Sequence, residues 1–163
     1  MTSVLRELYR HKTWATLRLI EFCQSLPPEH VEATLPGTYG SVRATLIHLA
    51  NSEANYYSLL VGQPRPTPIP LDGNLQEAHA RISQLGPGWE ALVDQAELPD
   101  KEFHTPMGFT TGAAPLGQAI HHADDHRTQV LSILGSRGLE LPSLDFWDYG
   151  TEAGFVRPAV PAT

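Results

Sequence analysis

The chain has 163 residues, of which 41% are hydrophobic and 18% charged, the composition of a folded globular domain and not of a disordered chain. One domain of this length buries a core without disulfides, and the single cysteine, Cys23, cannot form one internally, which fits a reducing compartment. A formal net charge of −7 and a pI near 5.5 exclude the basic footprint of a non-specific nucleic-acid binder, so neither DNA nor RNA is an expected partner.

The opening stretch, MTSVLRELYRHKTW, carries charges every few residues where a signal peptide needs an apolar core, and no later stretch approaches the length of a membrane span. The expectation is a cytoplasmic protein with no membrane partner. Four segments have helical periodicity and none shows the period-two alternation of a half-buried strand, so the expected class is all-α. The first covers about residues 3–26, with Leu5, Leu8, Ala15, Leu19, Phe22 and Leu26 at helical spacing until Pro27 and Pro28 stop it. A second, about 41–61, starts at the N-cap residue Ser41 and ends before Gly62; the extended linker QPRPTPIP follows. The third spans about 72–98, where Gly86, Pro87 and Gly88 are expected to kink it or divide it in two. A fourth, the most strongly periodic, covers about 115–136, with Pro115 in its first turn. Connections of about ten residues or more leave room for an unusual helix order. The tail from Leu141 onward, with Phe146, Trp147, Tyr149 and Phe155, is aromatic enough to pack against the helices. Cys23 reads as a small buried residue without chemistry.

Of the eight histidines, His122 and His126 stand four apart on the fourth helix and project from neighbouring turns of one face, the spacing at which two imidazoles grip one ion. His126 falls in the apolar stripe of Ala119, Ala123, Val130 and Ile133, and His122 at its edge beside Gln118 and Gln129. His121 lies about a quarter-turn away with Asp125, Thr128 and Ser132 and reads as a solvated residue. On the second helix, Thr45, His48, Asn51, Ser52 and Asn55 form a polar stripe beside Val42, Leu46, Leu49 and Tyr56; such a stripe either faces water or lines an interior cavity.

Trp14-Ala15, Gly40-Ser41 followed by TLIHLANSEANYY, and above all HADDHRTQ over residues 122–129 resemble the corresponding segments of the DinB/YfiT-like superfamily, nearly from end to end of the chain. The resemblance implies a four-helix bundle of DinB/YfiT type, with long connections and often dimeric, with metal ligands falling on His48, His122 and His126. Two departures bear on pocket shape and substrate: the break expected at 86–88, and Thr128 where the family often has Gly. Three neutral imidazoles with an open position suit one divalent transition metal ion, Ni or Zn first and Fe or Co next, over Mg or Ca, which prefer oxygen.

Members of the superfamily resemble thiol-dependent transferases and isomerases, in which the metal holds a low-molecular-weight thiol as thiolate, so a small-molecule substrate or thiol is the expected partner. A hydrolase is the alternative on the same site, since a three-histidine zinc ion lowers its bound water's pKa to about 7. A non-catalytic, stress-associated metal-binding or interaction protein is a third reading. Hemerythrin-like oxygen binding needs more ligands than are present. Glu53 is a candidate proton shuttle or ion-paired helix residue, and Arg127 a candidate anion binder or partner of Asp124 or Glu140. Asn51, Tyr56 and Gln129 are candidate pocket linings. His11, His30, His79 and His104 lie outside the matching segments and read as surface residues.

Overall fold

The computed structural model describes residues 3–105 and 108–157. Helix α1, Val4–Gln24, is capped by the Ser3 hydroxyl, which accepts from the Arg6 N–H; it ends short of Pro27, and a single further turn, α2, Pro28–Val31, begins on the second proline. Helix α3, Val42–Leu60, starts where the Ser41 hydroxyl accepts from the Ala44 N–H at 3.2 Å. Gly62 follows it at φ +68°, a left-handed turn that a residue with a Cβ resists.

Helix α4, Leu75–Val93, runs unbroken through Gly86, Pro87 and Gly88, and the segment does not continue to residue 98. This corrects the expected division of the helix in two. An interior proline orphans the carbonyl four residues earlier, but Pro87 and Ser83 are both exposed, so that carbonyl lies on the solvent side. On the two flanks of Pro87 the glycines permit close approach, Gly86 to α1 and Gly88 to α3. A Cβ on Gly86 would stand 3.2 Å from Thr13 Cγ2, and one on Gly88 only 2.4 Å from Tyr57 Oη. With Trp89 wholly buried beside them, packing outweighs local propensity.

After a 3₁₀ turn at Leu98–Asp100, a two-stranded antiparallel hairpin joins β1, Glu102–Thr105, to β2, Gly108–Thr111, with Phe103 paired to Thr110. The chain remains mostly helical, in keeping with the all-α class, but this small hairpin was not legible in the sequence. Four-residue strands are too short for a period-two signal, and Phe103 is the one buried residue among those described in the two strands. Helix α5, Ala113–Ser136, follows, and a tail helix α6, Phe146–Glu152, is capped by Asp145.

The four long helices contact one another in the ring α1–α4–α3–α5, so α1 lies diagonal to α3 and α4 diagonal to α5. This is a four-helix bundle in which chain neighbours are not always spatial neighbours, as the long connections allow. Its core has two apolar clusters, one around Leu19, Leu46, Ile82 and Val130, the other around Tyr9, Leu60, Trp89 and Leu116. Between them lie buried polar residues. Lys12 and Glu53, each 1% exposed, pair across the diagonal at 2.5 Å. Burial pulls Lys12 below the ordinary lysine range, and the facing carboxylate opposes that shift. Cys23 is buried and its thiol is pushed up to about 12, which keeps it protonated.

The tail packs in part. Tyr149 is buried and donates its hydroxyl to Glu7 Oε2 at 2.8 Å, and Trp14 Nε1 donates to Glu152, but Trp147 is 73% exposed and residues 158–163 lie outside those described. This packing corrects the reading of His11. Its ring is half-buried against Trp14, Phe146 and Tyr149, its Nε2 donates to Leu144 O at 2.8 Å, and burial lowers its pKa. His30 and His79 are also partly covered, held by Arg137 and Glu21 respectively, whereas His104 is exposed. Among the described residues, no helix is long and apolar enough to cross a membrane.

Candidate metal centre

Helices α3 and α5 are antiparallel neighbours, and their contact brings His48 to the His122–His126 pair. The i, i+4 spacing aims the last two at the same point. The Nε2 atoms of His48 and His126 each lie 3.1 Å from His122 Nε2. No other His, Cys, Asp or Glu joins this ligand-like group among the described residues.

The surrounding contacts set the protonation of the rings. Gln129 Oε1 accepts from the Tyr39 backbone N–H at 2.9 Å and from His126 Nδ1 at 3.2 Å. An amide oxygen only accepts, so the proton of neutral His126 sits on Nδ1, leaving Nε2 as a bare lone pair aimed at His122. Burial lowers the pKa of all three rings, helped at His48 and His122 by their neighbouring imidazoles, and His122 falls to about 4. Near pH 7 the rings are therefore neutral and able to donate electron pairs.

Three neutral imidazoles meeting through Nε2 are poorly satisfied by one another. His122 Nε2 can place a proton toward one partner but not both, and its Nδ1 is buried without a hydrogen-bond partner. A cation would resolve the conflict at Nε2, where all three rings could then direct lone pairs. Metal–nitrogen bonds of about 2.0–2.1 Å give ligand–ligand edges of about 2.9 Å in an octahedron and about 3.3 Å in a tetrahedron, which bracket the observed separation. The three imidazoles, whose candidate ligand atoms all lie within 4.8 Å of one another, are compatible with one divalent metal ion.

Tyr39, which sequence reading missed, is the aromatic member of this site. Its ring stacks on His48 with centroids 4.0 Å apart and planes 20° from parallel, and meets His126 edge-on at 5.4 Å. Gly37, at φ +88°, bends the loop that carries it, and the Thr38 hydroxyl closes that loop onto Leu35 O at 2.8 Å. The available signal was an aromatic residue between two glycines directly before a helix cap. Tyr56 meets the opposite flank of the cluster, edge-on to His122 at 5.8 Å.

Other candidates have different work. Glu53 is committed to Lys12, and Arg127, 4% exposed, is not available to an anionic substrate. It pairs with Asp124, not Glu140, and donates to Lys12 O at 3.1 Å and Thr16 Oγ1 at 2.9 Å, tying α5 to α1. Asn51 grips the Pro-rich linker, donating to Ile69 O and accepting from Ile69 N–H. Thr128 is exposed, and His121 is exposed beside Asp125.

No curated protein matches the chain. The sequence model of the DinB family matches residues 1–155, and the three imidazoles lie within that span; the chain belongs to the DinB family.

Proposed function

We propose that this protein is a metal-dependent enzyme for small molecules, holding one zinc- or nickel-type ion through His48, His122 and His126 and using it for thiol-dependent group transfer or isomerisation. The observation that carries the reading is the convergence of three Nε2 atoms, each on a ring that burial keeps neutral. Such a metal, when bound, supplies the Lewis acidity that turns a thiol into thiolate near neutral pH.

The chain's own groups prepare the site for that chemistry. Gln129 sets the tautomer of His126, Tyr39 orients His48 by stacking, and three protein ligands leave room for a further one. Hydrolysis is the alternative on the same site, since a metal-bound water ionises near neutral pH; Glu53, the carboxylate candidate from the sequence, is locked to Lys12 and adds no general base to it.

Elemental analysis of untagged protein tests the metal reading directly. About one divalent metal per chain is expected, with loss in His126→Ala; unchanged metal content in that variant overturns the three-histidine site. Cobalt-substituted protein then tests the thiol reading, for a thiol on the metal produces a thiolate-to-cobalt charge-transfer band. A silent spectrum across small biological thiols removes the thiol-dependent assignment and leaves the metal site standing.

A further inference from the structure

Beyond the imidazoles, α3 and α5 continue as the two walls of a cleft. Ser52, Asn55, Tyr56 and Leu59 follow His48 by four, seven, eight and eleven residues, all on one face of α3. Facing them, Gln118 precedes His122 by four residues on α5. The hairpin closes the far end with His104 and Phe109. Tyr56 belongs to both regions, since the ring that meets His122 also forms the wall of a cleft of about 530 Å³, a volume suited to a small organic molecule.

Charge says what kind. The chain carries 18 acidic residues against 11 Lys and Arg, yet the cleft and the adjoining pocket that shares Tyr56, Leu59 and Thr105 are lined by no Asp or Glu. They do contain Arg65, which is exposed and has no ion pair among the described residues. Its position is built. Pro64 and Pro66 flank it, and a following proline holds a residue extended. Asn51 clamps the same linker at Ile69 with bonds of 2.8 and 2.9 Å, while Arg81 donates to Thr67 O at 2.9 Å. The wall between Arg65 and the imidazoles is mixed, with Tyr56 and Leu59 apolar in part and Asn55 and Gln118 able to hydrogen-bond.

We infer that this cleft receives the carboxylate end of an extended small molecule whose other end reaches the three imidazoles, with Arg65 as the residue that takes the carboxylate. The inference rests on the metal site proposed above. Leu59 lies about 16 Å along α3 from His48 at 1.5 Å per residue, so a short acid seated at the imidazoles cannot also reach the far end of the cleft.

The test uses the full chain loaded with cobalt and two pairs of probes, 11-mercaptoundecanoate against 11-mercaptoundecanol and 3-mercaptopropionate against 3-mercaptopropanol. Each is titrated against the thiolate-to-cobalt band. The long acid should bind about tenfold more tightly than the long alcohol, the scale of one charge-assisted hydrogen bond, and the short pair should bind alike. Arg65→Gln should abolish the long acid's preference while leaving cobalt content and alcohol affinity unchanged. Equal binding of the long acid and long alcohol to the unaltered protein, or a preference that survives Arg65→Gln, overturns the carboxylate assignment with the metal site intact. Failure to take up cobalt overturns both readings, and uptake without any band separates the two by removing only the thiol chemistry and the cleft's connection to it.

Discussion

Replacing Lys12 by Met removes one ammonium from the polar layer between the two apolar clusters and keeps most of its aliphatic volume. Lys12 and Glu53 are each 1% exposed, with Nζ and Oε2 2.5 Å apart, so water cannot replace the missing partner. Breaking such a pair from one side costs about 3–5 kcal/mol. Two further features act in opposite directions. Nζ lies 4.9 Å from the Trp89 ring centre and 5.4 Å from that of Tyr9, adding cation–π attraction that Met forfeits. Glu53 Oε1, however, is buried without a hydrogen-bond partner, so the carboxylate is incompletely satisfied even in the intact pair. The single variant should therefore lose about 4 kcal/mol, lowering Tm by about 8–16 °C for a chain of this size. Lys12→Met combined with Glu53→Leu removes both charges and should lie within about 1 kcal/mol of the unaltered protein, or above it. Urea unfolding followed by circular dichroism measures all four corners of the cycle. The double variant should retain full metal content, because neither residue belongs to the imidazole group. A loss below about 1 kcal/mol in Lys12→Met, or a double variant no more stable than the single, refutes the view of Glu53 as an ion-pair residue of the core. Loss of metal from a well-folded double variant would return Glu53 to the site.

Gln129→Leu leaves the three imidazoles in place but frees the His126 tautomer, and competition with a chromophoric chelator should show metal affinity reduced about 10–100-fold; equal affinity would mean that the Gln129 contact does not orient the ring. The metal-free protein should lose stability as the medium is acidified. His11, His48, His122 and His126 all have pKa values lowered in the fold, so the unfolded chain takes up protons first as pH falls through about 6.5, while folded His122 resists until about 4. Stability is thus fully present above that unfolded value and declines below it, and a urea midpoint that stays flat between pH 7 and 5 would contradict the burial of these rings.

Much of the architecture was written in local chemistry. Ser3 and Ser41 announce helix starts because a hydroxyl satisfies an orphan N–H within its own segment, and both do so here. His122 and His126 share a face because four residues make nearly one helical turn, and His121 is turned out to solvent for the same reason. Those properties belong to one stretch of chain. The rest depended on which helix lies against which. His48 reaches the pair only because α3 packs on α5; in another helix order the same polar stripe would face water. Glu53 and Lys12, distant in sequence, meet across the bundle diagonal, which withdraws Glu53 from the site. Pro87 sits inside an intact helix because its turn faces water while Gly86 and Gly88 admit neighbouring side chains, and Tyr39 comes over His48 because Gln129, on a different helix, holds its backbone. Residue spacing determines which groups share a face; only the burial gained by packing whole helices together decides what each face meets.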